Sequence, residues 1–301
     1  MKDILRDYKL KKHNNLNDLF EGNFDVTWQK HLEQLPTNKK LVFTITPTEV
    51  RRGVIDDKTV TYRYNNDFFR CDNFIEKHDG KHILFGGCSE TEGVGGNIED
   101  AWSHMLYNKI SKEEKVSGFF NLSKSGWGWN RIIVNSLIYF KKYGYPDVYF
   151  ILLPNHERNF SYKNESSTLE NLFTYDQKYP EPYFDYVDAT QDNNRSSPKE
   201  YFENFIHFLI NWKTFYELCE AKNIKLIFST WDELDGLNLQ NIFFNNFFLL
   251  TRENERKFIN GYAKNNKIKP EDLKKRDGHN GKIGHIFWAQ EFYKKYKEVL
   301  K

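Results

Sequence analysis

Cysteine and methionine are scarce in this 301-residue chain, at three and two residues. Cys71, Cys88 and Cys219 form no CxxC pair and are odd in number, which excludes a disulfide framework and a structural zinc site built on thiolates. An excess of charge of either sign is also missing. The 44 Lys and Arg balance 42 Asp and Glu to a net +2, so no single-sign field exists to favour nucleic acid as a partner. No apolar run reaches the length of a membrane span, and residues 1–6 lack an apolar signal core, so a cytoplasmic or otherwise soluble protein without a signal peptide or transmembrane segment is expected. Internal repeats and low-complexity tracts are missing too. What the chain has in quantity is rings: 26 Phe and 18 Tyr within a 17% aromatic content. Its core must be built largely from them, with some left for grooves.

Residues 1–79 read as an N-terminal extension, with a short apolar strand over 41–45 and an alternating one over 60–64. Residues 80–301 read as the main domain, in which strand, loop and helix repeat. Strands are expected over 82–85, 116–122, 147–153 and 224–228. The third is almost wholly apolar, the mark of a strand covered on both faces. Helices are expected to open at 98 and to run over 130–142, 198–221 and 283–299. This alternation predicts an α/β fold, a three-layer α/β/α sandwich around a mostly parallel sheet. Residues 155–198 are polar and lack periodicity, which marks a lid or substrate loop.

Ligands of open parallel sheets bind beyond the carboxyl ends of the strands, so those ends carry the chemistry. After the first strand comes Gly87-Cys88-Ser89-Glu90-Thr91-Glu92-Gly93, after the second Ser125-Gly126-Trp127, and after the third Pro154-Asn155-His156. A serine, a glycine and an asparagine at successive strand ends supply a nucleophile, a backbone N–H donor and a side-chain amide donor, as acyl transfer requires. The nucleophile needs a base and the base an orienting acid. Of nine histidines, His279 has the fitting context, Asp277-Gly278-His279-Asn280-Gly281. A spacing of two lets both side chains leave one side of an extended segment. Asp232, beyond the fourth strand, is a rival acid.

In this order and spacing the segments resemble the SGNH/GDSL hydrolases. Gly87-x-Ser89-x-Thr91-x-Gly93 is similar to the first block of that family in a Gly-Cys-Ser form, Gly126 to the second-block glycine, Asn155 to the third-block asparagine, and Asp277-x-His279 to the final block. Residues 64–70 resemble a lead-in of some uncharacterised members. The resemblance spans roughly 80–301 and implies a flavodoxin-like sheet and hydrolysis of small ester or O-acetyl groups through an acyl-enzyme. It implies Ser89, Asp277 and His279 as the triad, Ser89, Gly126 and Asn155 as the oxyanion hole, and no cofactor or metal. The substrate would be a small-molecule or carbohydrate ester, with Trp127, His156, Arg158 and Trp231 as candidate contacts. Two features depart from the family pattern. The third block reads Leu153-Pro154-Asn155-His156, without Gly-x-Asn-Asp, and one residue separates Asp277 from His279 where two are commoner.

Other classes fit less well. Residues 86–96 hold no lysine to reach a phosphate, against a P-loop, and His279 with His285 fits no helical ligand motif, against a metallohydrolase. Acyl transfer in place of hydrolysis, and a non-catalytic carbohydrate-binding protein on the same fold, stay open.

Overall fold

The computed structural model describes residues 43–45, 60–67, 69–125, 127–156, 158, 198–240, 242, 244–267 and 280–300. Two short strands, β1 (Phe43–Ile45) and β2 (Val60–Tyr62), pair antiparallel with Phe43 opposite Tyr62. The main sheet has four parallel strands, β3 (Ile83–Gly87), β4 (Phe120–Ser123), β5 (Val148–Leu153) and β6 (Lys225–Thr230), in the order β4-β3-β5-β6. Gly87 stands opposite Ser123 on one side and Leu152 on the other, so three strands end at one level. Beyond β6 the chain at 246–248 lies alongside Phe228, whose N–H and C=O bond Asn246 and Phe248.

Every residue of β3, β4 and β5 is buried, as a sheet clothed on both faces demands. Side chains alternate between two ring-rich cores. Leu84, Tyr149, Ile151 and Phe228 face helices α3 (Trp129–Tyr143) and α4 (Pro198–Ala221), where Ile132, Tyr139, Phe208 and Trp212 meet them. Phe85, Phe150, Leu152 and Ile227 face α2 (Trp102–Ile110) and α7 (Lys282–Val299), with Trp102 stacked on Phe292 at 4.3 Å. The result is a three-layer α/β/α sandwich. Each buried ring contributes on the order of 2–3 kcal/mol through the apolar surface it removes from water.

Several boundaries moved from those read in the sequence. The Gly-rich stretch after β3 begins with a one-turn helix, α1 (Ser89–Glu92), where a loop was expected. The helix expected to open at 98 is a 3-10 turn over Ile98–Asp100, followed by α2. Only Phe120–Ser123 of the expected second strand pairs along its length, although Val116 makes one bridge to Lys81. Helices α5 (Glu233–Gln240) and α6 (Arg252–Asn266) had not been anticipated. Alpha6 is mostly polar, with Phe258 packed 5.5 Å from Phe287 of α7, and Thr251 caps it by accepting the Asn254 N–H.

The sequence placed a boundary at residue 79, yet Phe69 and Phe74 lie in the core shared by β4 and α3. Asn65 orders this segment by accepting the N–H groups of Asp67 and Phe69, an Asx-type turn. Asp72 then accepts the N–H of Phe119. Among the described residues, no helix is long and apolar enough to cross a membrane.

Candidate active site

The site is assembled at the carboxyl ends of the strands, beside the point where the order β4-β3-β5-β6 reverses direction from β3. Gly87 closes β3 at φ 151°, and a Cβ there would stand 2.2 Å from Thr91 Oγ1 and 2.8 Å from the Leu152 carbonyl oxygen. Only a bare α-carbon lets α1 fold back this tightly onto the strand ends. Gly93, at φ 77°, ends the helix in the left-handed conformation. Thr91 is tied down on its carbonyl, which accepts from Asn121 Nδ2 and Ser103 Oγ, both at 3.0 Å.

Ser89 is the first residue of α1 and is 5% exposed. Its hydroxyl lies 3.9 Å from Cys88 Sγ. At the first helical position its backbone N–H has no intrahelical acceptor, the geometry an oxyanion donor needs. Glu90 follows, and its carboxylate accepts the N–H of Asn280 with both oxygens at 3.3 Å. Residues 190 positions apart are thereby joined, and the residue after His279 stands beside the residue after Ser89. His285, one turn into α7, accepts the Trp102 N–H on Nδ1, so the neutral ring carries its proton on Nε2, 3.9 Å from Glu90. Asp277, His279 and Gly126 lie outside the described residues.

On the next strand, Lys124 and Ser125 follow β4. Glu92, only 3% exposed, accepts the Ser125 N–H at 2.6 Å and the Tyr64 hydroxyl at 3.4 Å. Lys124 is also buried, its Nζ 4.8 Å from the Tyr64 ring and 5.3 Å from the Phe69 ring. Burial pulls its ammonium down to about 8, and the Glu92 carboxylate resists that shift. Arg70 donates to the carbonyls of Glu92, Gly93 and Gly96, covering the end of α1 with a cation.

Beyond β5, Asn155 Nδ2 donates to Asp232 Oδ2 at 2.9 Å, and Asp232 Oδ1 accepts the Asp235 N–H. Asp235 receives both the N–H and Nδ1 of His156, each at 2.6 Å. Burial raises the Asp235 carboxyl and the imidazole opposes it. His156 is completely buried and Trp127 nearly so, the latter packed edge-on to Phe69 at 5.9 Å. Of the four candidate contacts, Arg158 and Trp231 are the half-buried ones, and the guanidinium sits 5.2 Å from the indole. Among the described residues, no group of three or more His, Cys, Asp or Glu is placed to hold a metal ion.

Asp232, expected from the sequence as a rival acid, is bonded to the Asn155 amide and the Asp235 N–H. Glu92, Lys124, Arg70 and Asp235 escaped the sequence reading. Their one legible signal was position, as charged residues touching the ends of apolar strands. Asp235 gave none, since its partner His156 is 79 residues away.

No protein-family model matches the sequence, and no curated protein matches it. Solved structures do resemble it. An esterase, EstA of a Pseudoalteromonas species, is 14% identical over 72% of this chain and 97% of its own, with a TM-score of 0.43. TesA is 12% identical over 72% of this chain and 98% of its own, at 0.40. A protein assigned to the G-D-S-L lipolytic family from Desulfitobacterium hafniense is 13% identical over 71% of this chain and 97% of its own, at 0.34. All three likenesses span most of both chains at under 15% identity and at TM-scores below 0.5.

Proposed function

We propose that the protein is a serine-dependent hydrolase of small ester or O-acetyl groups, working through an acyl-enzyme. Ser89 is the nucleophile, His279 the general base and Asp277 the acid that orients it. Ser89 Oγ adds to the ester carbonyl carbon as its proton passes to the imidazole. The oxyanion formed is held by the Ser89 and Gly126 backbone N–H groups and the Asn155 amide. Collapse of this intermediate expels the alcohol, which takes the proton back from the imidazolium. Water then repeats the sequence on the acyl-enzyme and releases the acid. Residues 80–301 form the hydrolase unit in this reading, and 155–198 select the substrate.

The observation that carries the reading is the Glu90–Asn280 bond, which brings the segment behind Asp277-x-His279 to the helix that begins with Ser89. Asn155 gives further support, its amide oriented by Asp232 at a neighbouring strand end.

Ser89→Ala is expected to lower turnover of short p-nitrophenyl esters by roughly 10⁴- to 10⁶-fold, and to abolish covalent labelling by a fluorophosphonate probe. A folded Ser89→Ala protein that keeps most of its rate would end this reading. Wild-type protein that takes no label would instead favour a binding protein on the same fold.

A further inference from the structure

The nucleophile and the oxyanion loop lie on different strands, so something must hold one against the other. Ser89 and Glu92 are the first and last residues of a one-turn helix. Glu92 accepts the N–H of Ser125, the residue before Gly126, at 2.6 Å. A carboxylate with so little exposure is retained only where its oxygens are matched. Tyr64 donates to the second oxygen, and Lys124 supplies the opposing charge. Arg70 fixes the same helix from its far end through the Glu92 and Gly93 carbonyls. A charged side chain placed this way converts any shift of α1 into a shift of the loop.

We propose that Glu92 is a positioning residue that locks the oxyanion loop at Ser125 to the helix bearing Ser89, with the Tyr64 hydroxyl holding its other carboxylate oxygen. The inference rests on the serine-hydrolase reading of the site. It assigns Glu92 no contact with substrate; its effect passes through the backbone of residues 125 and 126. Misplacing a catalytic donor by about 1 Å costs on the order of 10²-fold in rate.

Geometry, rather than charge, is then the quantity to vary. Glu92→Gln keeps an oxygen at the same reach and can still accept the Ser125 N–H. Glu92→Asp keeps the charge but falls one methylene short, and Glu92→Ala removes the acceptor. On a p-nitrophenyl ester, kcat is expected to fall about threefold for Gln, about tenfold for Asp and up to about 100-fold for Ala, with KM nearly constant. Affinity for a trifluoromethyl ketone, whose hemiketal oxygen occupies the oxyanion hole, should fall in the same order. A residue serving only stability would lower the unfolding midpoint and leave the kcat of folded protein and the ketone affinity unmoved. That result overturns the inference, as does a Gln variant as impaired as the Asp variant. The Gln–Asp comparison stands even if the Ala protein does not fold. Ser89→Ala, assayed in parallel, separates the two levels. If it remains active, the serine reading and this inference fall together. If it is inactive while all three Glu92 variants turn over normally, only the inference falls.

Discussion

Asp232 divides one carboxylate between two duties, with Oδ2 on the Asn155 amide and Oδ1 on the Asp235 N–H. An asparagine in its place has a single acceptor oxygen and must give up one of them. Asp232→Asn is therefore expected to lower kcat about tenfold, by loosening Asn155 rather than by depriving His279 of its acid. Asp277→Asn, in contrast, should cost up to about 10⁴-fold, because the amide keeps the shape but cannot stabilise the imidazolium. Both variants are to be measured on one ester, with circular dichroism to confirm folding. Were Asp232→Asn the severe change and Asp277→Asn the mild one, the roles of the two acids would be exchanged.

At the scale of elements, the β3–α1 corner is the joint on which the site turns. Its tightness depends on Gly87, whose missing side chain makes room for Thr91 and the Leu152 carbonyl. Gly87→Ala combines a disfavoured backbone conformation with overpacking, each worth roughly 1–3 kcal/mol. The expected result is a loss of about 3 kcal/mol in urea unfolding. Phosphonate labelling of Ser89 should slow as well, because α1 must back away from the strand ends. Unchanged stability with unchanged labelling would show that the corner tolerates a Cβ. The Gly-rich sequence after an apolar strand made this turn legible, but not the helix within it. One turn of helix is too short to display periodicity, and its capping by Arg70 comes from a segment about twenty residues earlier.

Across the whole molecule, stability should depend on pH through His82, buried against Phe120 and Tyr139 and bonded through Nε2 to the Tyr139 hydroxyl at 2.8 Å. Burial first, and then the nearby His78, push its pKa down from 6.5 to about 3. Between those values the unfolded chain binds the proton that the folded chain refuses. The stabilisation is thus complete above pH 6.5 and is lost progressively as the pH falls toward 3. The shift corresponds to at most about 5 kcal/mol. Urea midpoints at pH 7 and pH 4 should differ more for the wild type than for His82→Gln, which keeps a hydrogen-bonding group without the titration. Equal differences would remove His82 as the source.

The strand–helix alternation was legible in the chain itself because it is local. Apolar runs such as 147–153 and the periodicity of 283–299 declare their partners' chemistry without naming the partners. The residue types at the strand ends were legible for the same reason, since a parallel sheet sends its loops to one edge whatever the details. The short or polar elements were not: α6 is mostly polar, and residues 246–248 add to the sheet edge through backbone bonds at Phe228. Nor could the sequence show that residues 64–74 belong to the main core, that Glu92, Lys124 and Asp235 adjoin the candidate site, or that Asp232 bonds the Asn155 amide there. Those depend on contacts between residues tens of positions apart, such as Tyr64 with Glu92 and Asn155 with Asp232. A buried charge is tolerable only where the fold delivers its partner, so its place becomes visible only once the chain has closed on itself.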